Sequence, residues 1–350
     1  IIENDMNQEM KDDEQSQGLI NSLVVARHPD QLDKPRRDSM GTEGNPLLPN
    51  GILANVNKSQ WENVQKYFDE VTHIELPAKL VEAARAEEIE YFNTLPVWDV
   101  VKTQECWDKT GSPPITTKWV DVNKGDQQEY DVRCRLVAWE MGGGKSDEFY
   151  APTPPLEANR LLFSEAATNR RFGRQEKKPL FVDVRKAYLN AYVDRPTYVE
   201  LPSEMRSPGH CGRLLRCMYG TKSAATRWED TYTRALGRLG FAQGRASPCC
   251  FAHKSRDLKV VVHGDDFTVL GRYEDLDYFQ HGIQGEVFVK VRGRLGSGKN
   301  DDKCMRILNR IVRWADAGLR VKAYPRHAEI PIKEMGLGEA NVVKTPAVKD

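Results

Sequence analysis

The stretch that most constrains this chain is Val260-Val261-Val262-His263-Gly264-Asp265-Asp266-Phe267-Thr268-Val269-Leu270. Two short apolar runs flank a tight turn, the pattern of a β-hairpin with buried strands. The turn then presents two adjacent carboxylates, which burial cannot neutralise without cost. Gly-Asp-Asp is also ordinary turn chemistry facing water, so the triplet alone leaves both readings open. A second segment bears on the choice. Phe181-Val182-Asp183-Val184-Arg185-Lys186-Ala187-Tyr188-Leu189 reads as an apolar strand that places Asp183 at its end and runs into a short helical stretch. If the two segments pair in one sheet, Asp183 converges with Asp265 and Asp266.

Three convergent carboxylates repel one another unless a cation compensates. Hard oxygen ligands with room left for water and phosphate favour magnesium or manganese. Two such ions form the clamp used for in-line nucleotidyl transfer. Nucleotide addition is therefore the expected chemistry.

With these residues in view, the chain resembles the reverse transcriptase of copia-type long-terminal-repeat retrotransposons, in order over roughly residues 80 to 348. Phe181 to Asn190 is similar to the family's first carboxylate motif, commonly Met-Asp-Val-Lys-Thr-Ala-Phe-Leu-Asn. Met218-Tyr219-Gly220-Thr221-Lys222-Ser223-Ala224-Ala225-Thr226-Arg227-Trp228 resembles the family's Leu-Tyr-Gly-Leu-Lys-Gln-Ala-Pro-Arg-Ala-Trp. Val262 to Asp266 falls where the family carries Tyr-Val-Asp-Asp. Thr117-Lys118-Trp119-Val120 and Arg133-Cys134-Arg135-Leu136-Val137-Ala138 resemble its fingers strands, Phe149-Tyr150-Ala151-Pro152-Thr153 its fingers-to-palm link, and Lys344-Thr345-Pro346-Ala347 a segment found after the polymerase domain.

The resemblance implies that Asp183, Asp265 and Asp266 are catalytic and hold two Mg2+ or Mn2+ ions. It also implies substrate-binding roles for Arg135, Tyr188, Tyr219, Gly220 and Lys222. Arg135 and Lys222 would steady the triphosphate, and Tyr188 would exclude a ribose 2′-hydroxyl. The implied partners are an RNA template, a DNA primer, deoxynucleoside triphosphates (dNTPs) and the Gag and Pol products of the same element. The implied setting is a cytoplasmic virus-like particle or the nucleus. His263-Gly264 stands where Tyr-Val is usual, and Gly-Asp-Asp is also the spelling of many RNA-templated RNA polymerases. Ser223, Ala225 and Thr226 depart from the second motif, and Trp139-Glu140 interrupts the usual Lys-Gly after Leu-Val-Ala. Two alternatives stay open: a decayed or domesticated nucleic-acid-binding remnant, and an RNA polymerase.

The expected fold class is α+β, a right-hand polymerase palm and fingers with an antiparallel palm sheet backed by helices and a partial thumb or connection. Residues 1–76 read as an acidic, disordered lead and 77–155 as a helix followed by fingers strands. The palm is expected over 156–285, and a thumb-like hairpin and tail over 286–350, ending before any ribonuclease H. The absence of an initiator Met is expected of a piece of a longer polyprotein. Helices are expected over Leu80–Phe92, Leu156–Phe172, Ala224–Leu239 and Arg272–Gln280. Strands are expected at Trp98–Val101, Lys118–Val122 and Arg133–Ala138, with a hairpin through Val193–Leu201 and paired strands at Met305–Trp314 and Leu319–Ala323.

Charge is balanced overall but not along the chain. Residues 1–100 carry 9 Lys and Arg against 19 Asp and Glu, and residues 101–350 carry 42 against 32. The second part is therefore net positive, as suits contact with a phosphate backbone. No apolar run approaches membrane-spanning length. The 7 cysteines form no regular framework and point to free thiols in a reducing compartment. The spacings of His210, Cys211, Cys217, Cys249, Cys250 and His253 match no standard zinc finger. His263 is open to a general acid or base role or to a packing role.

Overall fold

The computed structural model describes residues 65–125, 128–140, 151–171, 176–308, 310–315, 318–323, 328–329, 331–332 and 335–339. Most of the expected acidic lead, residues 1–64, lies outside the described residues, as do Phe149, Tyr150 and Lys344 to Ala347.

The described residues begin with β1 (Tyr67–Phe68), β2 (Glu75–Leu76), helix α1 (Ala78–Thr94), β3 (Trp98–Lys102) and α2 (Thr103–Thr110). β4 (Thr117–Asn123), β5 (Val132–Ala138), α3 (Leu156–Arg171) and β6 (Lys178–Val184) follow. A 3-10 turn at Ala187–Asn190 leads to β7 (Tyr198–Val199), β8 (His210–Leu214), α4 (Ala224–Arg238) and β9 (Ala242–Gln243). Next come β10 (Cys250–His253), β11 (Leu258–His263), β12 (Asp266–Gly271), α5 (Tyr273–Gln284) and β13 (Val289–Arg294). The last strands among the described residues are β14 (Cys304–Ile307), β15 (Arg310–Ala315) and β16 (Gly318–Ala323).

These elements form two compact units, one of residues up to 94 with 117–137, the other of 95–116 with 138–350. In the first, Val81, Arg85, Glu88 and Phe92 recur at helical spacing and form the buried face of α1. Arg85 is buried because Asp121 pairs with it at 2.6 Å and its guanidinium lies over the rings of Tyr67 and Trp119. Tyr67 and Leu76 pack into the same cluster as Val81 and Cys134, so residues 65–76 are folded rather than part of a disordered lead. The expected fingers strand at Trp98 is also reassigned. β3 pairs with β8, Trp98 opposite Leu214, and so belongs to the second unit.

The second unit is organised by a six-stranded sheet in the order β13-β6-β12-β11-β10-β9. Every pairing along it is antiparallel. Val182, Val260, Val262, Phe267 and Val269 pack against Trp228, Tyr232 and Leu236 of α4 and Leu276, Phe279 and Ile283 of α5. On the opposite face Val261 meets Leu162 and Ala166 of α3, and Phe181 meets Phe163, Met305, Val312 and Trp314. Both faces are covered, which is why the strands read as continuous apolar runs rather than alternating ones. The expected hairpin through Val193–Leu201 is not formed, because β7 pairs with β8 across the intervening loop. The expected long strand over Met305–Trp314 is broken at Leu308, whose φ of +44° ends β14 and lets β15 turn back upon it.

Where β6 and β11 begin, Lys177 contacts Glu165 at 2.6 Å and Asp257 at 2.5 Å, and Lys259 contacts Glu165 at 2.6 Å. Burial opposes the ionisation of Glu165 and of Asp257, but the two ammonium groups outweigh it and hold both carboxyls below their ordinary values. Burial likewise opposes the charge on Lys177, but Asp257 and Glu165 raise its pKa. Carboxyls with depressed folded pKa values contribute stability above their unfolded values and lose it as the pH falls through the folded ones; the lysine contributes below its unfolded value and loses that as the pH rises. The melting temperature of Glu165→Gln is therefore expected to lie below the parent's at neutral pH, with the gap closing below about pH 4.5. Paired thermal melts across pH check this, and a gap that persists at pH 2 contradicts it.

Candidate active site

The register of β12 against β6 sets Asp266 directly opposite Asp183. The same cross-strand row continues from His263 through Asp266 and Asp183 to Lys290. Directly opposed residues share one face of a sheet, about 5 Å apart at Cβ, so two carboxylates face each other at the end of β6. Asp265 and Gly264 form the two-residue turn between β11 and β12, Gly264 with φ +64°. Its left-handed backbone suits glycine, and no neighbour crowds it. The turn is tied down on two sides: the Val184 N–H donates to the Asp265 carbonyl at 2.9 Å, and the Trp228 indole N–H donates to the Gly264 carbonyl at 2.9 Å.

Of the three carboxylates expected to converge, Asp183 and Asp266 stand opposite each other across the β6–β12 ladder and Asp265 lies in the adjoining turn. Among the described residues no group of three or more His, Cys, Asp and Glu side chains is arranged to hold an ion. Asp266 lies 3.5 Å from the Arg292 guanidinium, whereas Asp265 bears electrostatically on Tyr188. The donor chemistry still fits a hard divalent cation: anionic oxygens on two adjacent strands, none of them fully buried.

Tyr188 sits in the 3-10 turn that follows β6. Asn190 clamps that turn, its side-chain N–H groups donating to the carbonyls of Arg185, Lys186 and Ala187 at 3.1 to 3.3 Å and its oxygen accepting from the Phe288 N–H at 3.2 Å. Lys186, just before it, adopts φ +48°. The Tyr188 and Tyr219 rings are tilted against each other with centroids 4.9 Å apart. Burial raises the Tyr188 hydroxyl above its ordinary pKa, and the Asp265 carboxylate adds to the effect. Tyr219 is only 3% exposed and forms the floor behind Tyr188 rather than a free substrate platform.

Gly220 continues from it with φ +84°, and the Lys222 N–H donates to Glu140 Oε2 at 2.7 Å. Glu140, which reads in the sequence as an interruption, thus anchors the second motif and also pairs with Arg195 at 2.8 Å. The Cys217 N–H donates to the Ala191 carbonyl, joining the second motif to the end of the first. Arg135 belongs to the first unit, where it lies half-buried on β5.

His263 lines a cavity with Arg160, Phe163 and Arg310. All 7 cysteines are free, and burial pushes the Cys217 thiol up to about 12. Sequence reasoning missed Arg292. The available signal was Gly293, an isolated glycine within a strand pattern, which marks a bulge.

Residues 96–311 match the family model described as reverse transcriptase (RNA-dependent DNA polymerase). A curated relative, the putative transposon Ty5-1 protein of Saccharomyces cerevisiae, is 29% identical over 93 residues, which cover 25% of this chain and 30% of that protein. Among solved structures, a telomerase from Candida albicans bound to a fragment of telomeric RNA aligns with 73% of this chain and 52% of that chain at 11% identity and a TM-score of 0.42. A foamy viral protease-reverse transcriptase bound to double-stranded DNA aligns with 76% of this chain and 38% of that chain at 9% identity and a TM-score of 0.36.

Proposed function

The chain belongs to the reverse transcriptase family, and from that premise we propose that it is the RNA-directed DNA polymerase of a copia-type retrotransposon, adding dNTPs to the 3′-hydroxyl of a primer. The observation that carries the reading is the register that opposes Asp183 and Asp266, with Asp265 in the adjoining turn. These three residues would hold two magnesium or manganese ions, which when bound supply the positive charge that nucleotidyl transfer needs.

The chain's own groups fix the frame. Trp228 and the Val184 N–H hold the Asp265 turn in place, so the carboxylates are positioned before substrate arrives. Asn190 clamps the turn that carries Tyr188 and the Tyr219 ring packs against it, which limits how far the ring can yield to a larger sugar. Lys222, on a loop anchored by Glu140, is the proposed point charge for the triphosphate. RNA template, DNA primer and the other products of the same element are the proposed partners, in the particle or nuclear setting that the resemblance implies.

Tyr188 also separates this reading from an RNA polymerase. With the parent, deoxynucleotide is expected to be favoured over ribonucleotide; Tyr188→Ala is expected to relax that preference on the order of 10²-fold, the discrimination that pocket shape alone gives against an added hydroxyl. Single-nucleotide incorporation with each sugar, in competition, measures it. Equal use of both sugars by the parent would favour the RNA polymerase.

A further inference from the structure

Two ionised carboxylates set directly opposite each other in a sheet repel, and the repulsion requires a cation nearby. Lys290 lies opposite Asp183 in the regular register of β13, and a second cation reaches Asp266 through an irregularity. β13 runs along the outer side of β6, with Val291 opposite Val182, but the next paired residue, opposite Phe181, is Gly293. Arg292 is the extra residue of a β-bulge, a device that re-aims a side chain. In a regular register it would lie opposite Phe181, whose face is packed by Phe163, Met305 and Val312, where a guanidinium would lose its water. The bulge instead lets Arg292 Nη1 reach 3.5 Å from Asp266 Oδ1, while Nη2 donates to the Arg306 carbonyl at 3.3 Å. The next position favours glycine, since Gly293 has φ +148°, and an added Cβ would also press on the Asp302 carboxylate.

We propose that Arg292 is a built-in counter-ion of the Asp183–Asp266 pair, holding Asp266 while no divalent cation is bound and giving way when one binds, so that it sets the ion concentration at which the site fills. The guanidinium and the metal compete for one carboxylate oxygen lobe. The competition is modest, because both side chains are about a quarter exposed, at 23% and 24%. The part of this proposal that concerns the metal rests on the polymerase reading; the ion pair does not.

The test therefore has two arms. In metal-free buffer, thermal unfolding of the parent, R292Q, D266N and the double variant forms a cycle. R292Q is expected to lower the melting temperature, and the loss is expected to vanish where Asp266 is already Asn. In the second arm, Mn2+ uptake is followed through the paramagnetic signal of the free ion, without nucleotide. R292Q is expected to bind Mn2+ about fivefold more tightly than the parent, the factor that release of a partly exposed ion pair allows, and R292K to stay near the parent. Additive thermal effects overturn the pairing. Mn2+ binding that is unchanged or weaker in R292Q overturns the competition. Thermal coupling with no Mn2+ uptake by parent or R292Q supports the pairing but overturns both the competition and the two-ion reading on which it rests.

Discussion

Asp183→Asn is expected to slow primer extension by about 10³-fold or more while leaving the melting temperature in metal-free buffer at or above the parent's. The two halves of this result come from one geometry. Asp183 faces Asp266 across the β6–β12 ladder, with Lys290 on its other side in the same row. In the folded protein without an ion, the facing charges are a cost that Lys290 and the partly exposed Arg292 offset only in part, and an isosteric amide removes it without disturbing the ladder. In the reaction the same charge would be needed to bind the divalent ions, and an amide oxygen replaces it poorly. Rates of single-nucleotide incorporation and melting temperatures, taken on one preparation, give both values. A rate loss that travels with a lower melting temperature would make Asp183 a structural residue.

Phe267→Ala is expected to destabilise the fold by about 3–5 kcal/mol, the usual consequence of emptying a large aromatic site. Phe267 is 1% exposed, and its ring lies 6.5 Å from Trp228 and 6.1 Å from Tyr232, centroid to centroid. It is also the residue after Asp266, so the core of the palm sheet and the position of the carboxylate share one side chain. Trp228→Phe separates the two contributions. It keeps an aromatic ring in the core and removes the hydrogen bond to Gly264, at a stability cost of about 1 kcal/mol. Its extension rate is expected to fall by more than that cost explains, because the turn is left untethered. Urea unfolding of both variants measures the first quantity, and a Phe267→Ala loss below about 1 kcal/mol would contradict the packing account.

The elements that position the carboxylates were legible because they are local. The valines of β11 and the Phe181–Val184 run are strand patterns in their own right, and Gly264-Asp265 is a turn signal between them. The pairing expected of these two segments is formed, with Asp266 opposite Asp183. Illegible features are those set by residues far apart in the chain. β7 and β8 are short and meet across a loop, so neither has a pattern long enough to announce its partner. Trp98 looked like part of the same sheet as Lys118 and Arg133 because all three are short strands in sequence order, yet its ladder is with Leu214. Arg85 on α1 broke the apolar face in the sequence, and only Asp121 and two aromatic rings explain its burial. Arg292 escaped for a related reason: a bulge changes which way a side chain points without changing the composition of the strand.

Primer extension by the purified chain on an RNA template with a DNA primer, dNTPs and Mg2+ or Mn2+, beside the Asp265→Asn, Asp266→Asn double variant, shows whether the chain makes DNA. DNA synthesis by the parent and none by a folded double variant is the predicted result. A folded parent that binds the primer–template but extends nothing would contradict it, and would identify the chain as a nucleic-acid-binding remnant of a polymerase.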